Sequence, residues 1–364
     1  MLKNPGLLLL EKQQMYGAII KQSILIKVFA VSVTIVLALS LRNFWALIWG
    51  SVFVSLLECL GSYYLHPHRP TICLTNSKPQ LIFSGWMTPQ AIIGYLRTQL
   101  DTFIVSTYYG KAQLGSYHVM KYLAFMPTSE VITPATQPLL VELSKVKNDP
   151  KGFEFQYNLS LLIVMAVALP MAIFLFSFDV LFVDILLGKQ WLQFSEVFGV
   201  MSLMVVCFVL LNQARRALVV FERTKLMFYY EVASFTFIYG SIFLIGISDI
   251  ITFTRLRVGL ELASCMSLFT AVSIHAIGLR SFIRLIFLNI PLLVSVFLAD
   301  FCTRIIHLPD YPALINLPIY LIIFVSLYLF FLVISHQFYY CKTDEGKKIK
   351  MLISSSINSV FQKK

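Results

Sequence analysis

Arg97 and Asp101 lie four residues apart inside an otherwise apolar stretch, LIFSGWMTPQAIIGYLRTQLDTFIVS (81–106). Ionisable groups in such a setting are costly and turn towards protein or water rather than lipid, so chemistry or ligand binding is sought there first. Gln90 and Gly94 precede them at spacings of four and three, and all four residues fall on one face of a helix. Two readings follow. Arg97 and Asp101 can neutralise each other as an i,i+4 pair that only keeps the helix insertable. Alternatively the stripe lines a polar cavity; the amide of Gln90 and the small Gly94 continue the face, which an ion pair alone would not require.

The next stretch, SYHVMKYLAFMPTSEVITPATQPLL (116–140), carries Lys121 and Glu130 among Pro127, Pro134 and Pro138. Proline removes a backbone donor and bends a helix, and in a membrane the freed carbonyls need partners or a water-filled cavity. Lys121 is either a second cavity cation or a side chain that snorkels to the interface. Glu130 is either a coupling acid or a solvated one. Glu58, Glu196, Glu231 and Glu261 fall near the ends of apolar stretches and read as interfacial acids, and His118 and His275 as packing residues. The six cysteines form no CxxC pair and read as small apolar fillers. No nucleotide, zinc, hydrolase or phosphate-loop motif is present, so the reading has no metal, no cofactor and no catalytic residue.

The elements that must hold these residues are membrane helices. Ten apolar stretches, near 22–41, 43–64, 81–106, 115–139, 158–178, 194–214, 226–247, 258–279, 283–306 and 313–338, each approach the roughly 20 residues that cross a bilayer. Hydrophobic residues make up 58% of the chain, charged residues 13%, and mean hydropathy is +0.79, which leaves no soluble domain for ordinary enzyme chemistry. The net charge of +11 is not a nucleic-acid footprint, because it sits in short loops and the tail. With the N-terminus inside, 21 of the 29 basic residues fall in cytoplasmic segments and six opposite, Arg257 among the six. The expected fold is therefore all-α, a polytopic membrane protein of about ten transmembrane helices with both termini cytoplasmic, the 141–158 loop inside and the 300–312 loop outside. The basic tail from Cys341 reads as touching anionic lipid.

HPHRP (66–70), FSGW (83–86) and the run from Tyr95 to Leu140 carry a recognisable arrangement: R-x3-D, then LGSY, then P-T-S-E-x3-P. With LLGKQW (186–191) and NFWALIWGS (43–51), it resembles the polysaccharide-transport family of the multidrug/oligosaccharidyl-lipid/polysaccharide exporter superfamily, over roughly residues 4–225. The resemblance implies two six-helix bundles around a cationic cavity, often with two extra helices, in the bacterial inner membrane. It implies alternating-access export of a lipid-linked oligosaccharide such as an O-antigen, capsule or exopolysaccharide unit, with membrane lipid and polysaccharide polymerase machinery as partners. Arg97, Asp101, Lys121 and Gln90 would then bind substrate, and Glu130 and Asp101 would couple transport to an ion. Family members carry about four helices before the point matching this start. That makes 1–80 the last two helices of a truncated first bundle, 81–279 the second bundle, and 280–364 the extra pair with its tail. A drug antiporter of the same superfamily, a membrane polymerase or ligase, and an inactive fragment are the other readings.

Overall fold

The computed structural model describes residues 4–12, 16–69, 77–246, 249–306, 312–348 and 350–351, and all regular structure among them is helical. The chain divides into two compact units, Met1–Pro79 and Gln80–Lys364. The first holds α1 (Leu7–Lys12), α2 (Tyr16–Leu41) and α3 (Trp45–Leu65), with α2 and α3 packed as a hairpin. Asn4 ties the start of this unit to the end of α3. Its backbone N–H donates to Ser62 Oγ at 2.8 Å, and its amide donates to the carbonyls of His66 and His68 at 2.9 Å. Leu25, Leu39 and Leu60 are exposed, as side chains solvated by lipid are.

The second unit holds α4 (Ser77–Pro127), a π-helical turn (Thr128–Ile132), α5 (Thr133–Lys145), α6 (Pro150–Ser177) and α7 (Asp179–Leu186). It continues with a 3₁₀ turn (Lys189–Phe194), α8 (Ser195–Ser202), α9 (Met204–Val220), α10 (Thr224–Ile245), α11 (Ile250–Ile277), α12 (Leu279–Ile305) and α13 (Ala313–Phe338). Its core is where α6, α9, α11 and α12 meet: Tyr157, Leu161, Ala168, Ala172, Val209, Ala214, Cys265, Leu285 and Val296 are buried there. The small alanines let the helix backbones approach closely, which is how membrane helices gain packing when lipid is as apolar as leucine. Helix starts follow the capping rules. Asp149 accepts from the N–H of Lys151 with Pro150 in the first helical position, and Asp249 accepts from the N–H groups of Ile251 and Thr252.

Eight helices are long and apolar enough to cross a membrane, among the described residues. The two other expected spans also fall on helix, 81–106 on α4 and 115–139 on the end of α4, the π turn and α5, where polar and charged residues set them apart. α4 is broken at Gly110, where φ +84° and ψ 173° lie in a region open essentially to glycine alone. Lys121 Nζ reaches the Thr98 carbonyl at 3.1 Å, so the limbs 77–109 and 111–127 fold back on one another. A straight helix would separate residues 98 and 121 by about 35 Å. The second limb passes into the π turn, whose Thr133 N–H returns to the Thr128 carbonyl. Pro134 follows. Its ring would collide with the Glu130 carbonyl of a regular helix, and the widened turn relieves this.

Candidate functional site

The stripe on α4 is the buried face of its first limb: Gln90, Arg97 and Asp101 are all buried, at 9%, 7% and 2% exposure. Arg97 and Asp101 do not pair with each other. Asp101 Oδ1 accepts from Arg257 Nε at 2.7 Å and from the Tyr239 hydroxyl at 2.6 Å, and its Oδ2 lies 3.3 Å from Lys121 Nζ. Arg97 Nη1 lies 3.3 Å from Glu261 Oε1 and donates to Ser234 Oγ at 2.9 Å, and its Nη2 lies 3.5 Å from Glu231 Oε2. Glu261 also accepts from Arg257 Nη1 at 2.6 Å, and Glu231 pairs with Arg215.

Followed in order, these contacts make one line: Lys121, Asp101, Arg257, Glu261, Arg97, Glu231, Arg215. Charges alternate along it, with a cation at each end, four positive against three negative. The interior five are buried, while the Lys121 and Arg215 side chains are 19% and 29% exposed. Four helices supply the line: both limbs of α4, with α9, α10 and α11. Tyr239 and Tyr230 on α10 and Ser264 on α11 fill the spaces between charges; Ser264 donates to Ser234 Oγ at 2.8 Å. Each interior carboxylate is thus held by two cations, the arrangement in which a buried charge repays its desolvation. A cavity of about 270 Å³ adjoins the line, walled by Tyr230, Ser234, Phe237 and Ser264.

Several sequence expectations need correcting. Glu231 and Glu261 are not interfacial acids but buried members of the line. Arg257, counted with the loops opposite the cytoplasm, is buried in α11, whose Asp249 cap starts the helix eight residues before the apolar stretch does. Arg215 and Arg216, counted with a cytoplasmic loop, lie in α9. Without these three the basic excess runs 19 to five, in the same direction. Lys121 turns inward to Asp101 rather than snorkelling. Gln90 shares the stripe's face, and its Oε1 is buried without a hydrogen-bond partner. Glu130 is exposed on the π turn and is not a member of the line. Five cysteines are free; Cys73 lies outside the described residues.

A membrane bundle threaded by an alternating charge line narrows the candidates without choosing among them. The sequence decides. Residues 2–196 match the family described as "Polysaccharide biosynthesis protein". The chain belongs to the polysaccharide biosynthesis protein family. It is similar to an "Uncharacterized membrane protein in cps region" of Klebsiella pneumoniae, at 25% identity over 44% of this chain and 34% of that protein. It is also similar to "Lipopolysaccharide biosynthesis protein WzxC" of Escherichia coli K12, at 25% identity over 34% of this chain and 26% of that one. The chain therefore spans about a third or less of the curated relatives it matches. No solved structure matches it. With its family, this polysaccharide biosynthesis protein is a multi-pass protein of the bacterial inner membrane. The family match takes in Arg97, Asp101, Lys121 and Glu130; their partners on α9, α10 and α11 lie beyond it.

Proposed function

We propose that this family member works as a transporter, not an enzyme, moving a lipid-linked oligosaccharide across the inner membrane by alternating access. The observation that carries the reading is the seven-member charge line with a partly exposed cation at each end. A sugar linked to a lipid through phosphate brings an anion, and an anion competes best where a cation has the fewest acids. Lys121 and Arg215 each have one carboxylate; Arg97 and Arg257 each have two. A phosphate arriving at either end displaces Asp101 or Glu231 there. The displaced carboxylate keeps one cation, Arg257 for Asp101 or Arg97 for Glu231, and its freed oxygen is where a proton or another cation binds, which gives transport a means of coupling. Arg97 and Arg257 carry the change inward by exchanging partners along the line. Gln90, with its unpaired acceptor on the same face, suits a sugar hydroxyl. Glu130 on the π turn is a second coupling acid.

On this reading 1–80 contributes two helices of a first bundle, 81–279 forms the second bundle, and 280–364 is an added helix pair with its tail. Polysaccharide polymerase machinery receives the product. The test is made with the protein expressed from its own gene in a strain deleted for it, measuring surface polysaccharide beside the amount of protein in the membrane. Lys121→Gln and Arg215→Gln are each expected to cut surface polysaccharide roughly tenfold, the equivalent of one charge-assisted contact, at normal protein abundance. Arg97→Lys retains part of the export and Arg97→Ala none, because a lone ammonium cannot serve two glutamates and a serine as the guanidinium fork does. Wild-type export by Arg97→Ala at normal abundance overturns the reading. Loss of the protein from the membrane in all these variants assigns the line to folding alone.

A further inference from the structure

Two cavities meet along the cleft between α11 and α12, and a third lies beside them on α12 alone. The first, about 630 Å³, lies where the ends of α6, α8, α11 and α12 gather, and Ser177, Asp179, Glu196, Arg255 and Arg304 form its polar wall. The second, about 320 Å³, lies between α6, α9, α11 and α12 and is lined by apolar side chains except for Asn289. Leu262 belongs to both. The third, about 680 Å³, shares Arg304 with the first and Leu293 with the second. On α11, Arg255, Gly259, Leu262, Met266 and Phe269 recur at spacings of four, three, four and three, so one helix face runs from the polar compartment into the apolar one. That face is about 21 Å long at roughly 1.5 Å per residue, enough to span the hydrocarbon of one leaflet, about 15 Å. Met266 and Leu293 are exposed along it, so the cleft is open sideways to the bilayer.

The polar wall has an unusual charge account. Arg255 pairs with Glu196. Arg304 Nε lies 2.9 Å from Asp300, and its Nη2 donates to Ser177 Oγ at 2.5 Å. Among the described residues Asp179 joins no ion pair: its Oδ1 accepts from the Val180 N–H at 2.7 Å, and it feels the charge of Arg304 without a direct salt bridge to it. It packs over Gly199, where an added Cβ would come within 3.0 Å of its carboxylate. Burial first, and then the charge of Glu196, raise its carboxyl above the ordinary value against the opposing charge of Arg304. A purely anionic ligand would satisfy the arginines and leave Asp179 worse off. A ligand carrying both charges answers both sides of the wall.

We propose that this groove binds a zwitterionic phospholipid with a primary ammonium headgroup, of the phosphatidylethanolamine class. Its ammonium donates to Asp179 and Glu196, its phosphate accepts from Arg255 and Arg304, and one acyl chain passes Leu262 into the apolar compartment. The site stands apart from the charge line and from the export reading. To test it, the purified full chain is exchanged into phosphatidylethanolamine, phosphatidylcholine or phosphatidylglycerol with identical acyl chains, and retained lipid is counted by native mass spectrometry. The ethanolamine lipid should be retained roughly tenfold over either other lipid, the effect of one charge-assisted hydrogen bond. Asp179→Asn combined with Glu196→Gln should erase that preference, and Leu262→Trp should lower retention by narrowing the passage. Equal retention by the unaltered protein, a preference for the glycerol lipid, or an ethanolamine preference that survives the double variant overturns the proposal. The comparison among lipids with the unaltered protein decides even if a variant does not fold.

Discussion

Arg257 is held by two acids and buried, Lys121 by one and partly exposed, and that difference sets what each substitution does. Arg257→Ala leaves Asp101 and Glu261 short of a cation inside the bundle, and a broken buried pair costs about 3–5 kcal/mol. Lys121→Ala leaves Asp101 with Arg257 and Tyr239, so its loss is smaller. Thermal unfolding in detergent should rank the two in that order; equal losses would mean that the line is not what stabilises this region. At the surface, Lys147 Nζ lies 2.7 Å from Glu222 and, by hydrogen bond and charge, holds that carboxyl below its ordinary value of 4.5. The contact therefore favours the folded protein above the unfolded glutamate's pKa and is lost as pH falls through the lower folded one. Lys147→Ala should return Glu222 to the ordinary value in an isotope-edited infrared titration, and an unchanged titration would remove Lys147 as the cause. The stripe at 90, 94, 97 and 101 was legible because four positions on one helix carry their own periodicity. Its partners were not. Glu231 and Glu261 are single acids on other helices, and nothing in a linear sequence says that α10 and α11 turn them towards α4.

Helix α4 shows what an element adds to its residues. Hydropathy divides 81–106 from 115–139, but only the backbone shows that the division is one glycine wide and reverses the chain. Gly110 lies within the run whose motifs carry the family resemblance, yet the pattern gives no sign that its conformation excludes every other residue. The same break brings Lys121 to Asp101, so the cation end of the charge line depends on it. Gly110→Ala should cost about 1–3 kcal/mol for forcing a side chain into that conformation. It should also lower export more than an alanine at the neighbouring Lys111, which bears no such constraint. Thermal unfolding and surface polysaccharide measured together check this, and a Gly110→Ala protein as stable as its parent would show that the reversal tolerates another backbone geometry. The π turn and Pro134 that follow α4 are the part that the sequence did announce: three prolines in twelve residues made a break certain, though not its form.

Within residues 80–364 the loops collect at two ends, and side-chain contacts identify which loops share each. The Tyr109 hydroxyl donates to the Asp249 carbonyl at 3.1 Å, Arg304 reaches Ser177, and Arg255 reaches Glu196, so the chain near Gly110, Phe178, Gln190, Asp249 and Ile305 lies together. At the other end Lys147 meets Glu222, Arg223 meets His275, and Arg284 lies 3.0 Å from Glu345. Alternate loops therefore fall on opposite ends, as alternate crossings require. The second end carries Lys145, Lys147, Lys151, Arg223, Lys225, Arg280, Arg284, Lys347, Lys348 and Lys350; the first carries Lys111, Lys189, Arg255 and Arg304. Ten basic residues against four in short loops place the second end in the cytoplasm. The sequence reached the same orientation despite misplacing Arg257, Arg215 and Arg216, because a charge excess summed over many loops absorbs a few errors. Asp310, in the 300–312 loop expected outside, lies outside the described residues, whereas Asp249 is described and shares its end with Tyr109. Alkaline phosphatase joined after Lys151 should be inactive and after Asp249 active, while a fluorescent protein that matures only in the cytoplasm should report the reverse. Like signals at the two positions would mean that the bundle does not cross the membrane along the axis that its paired loops define.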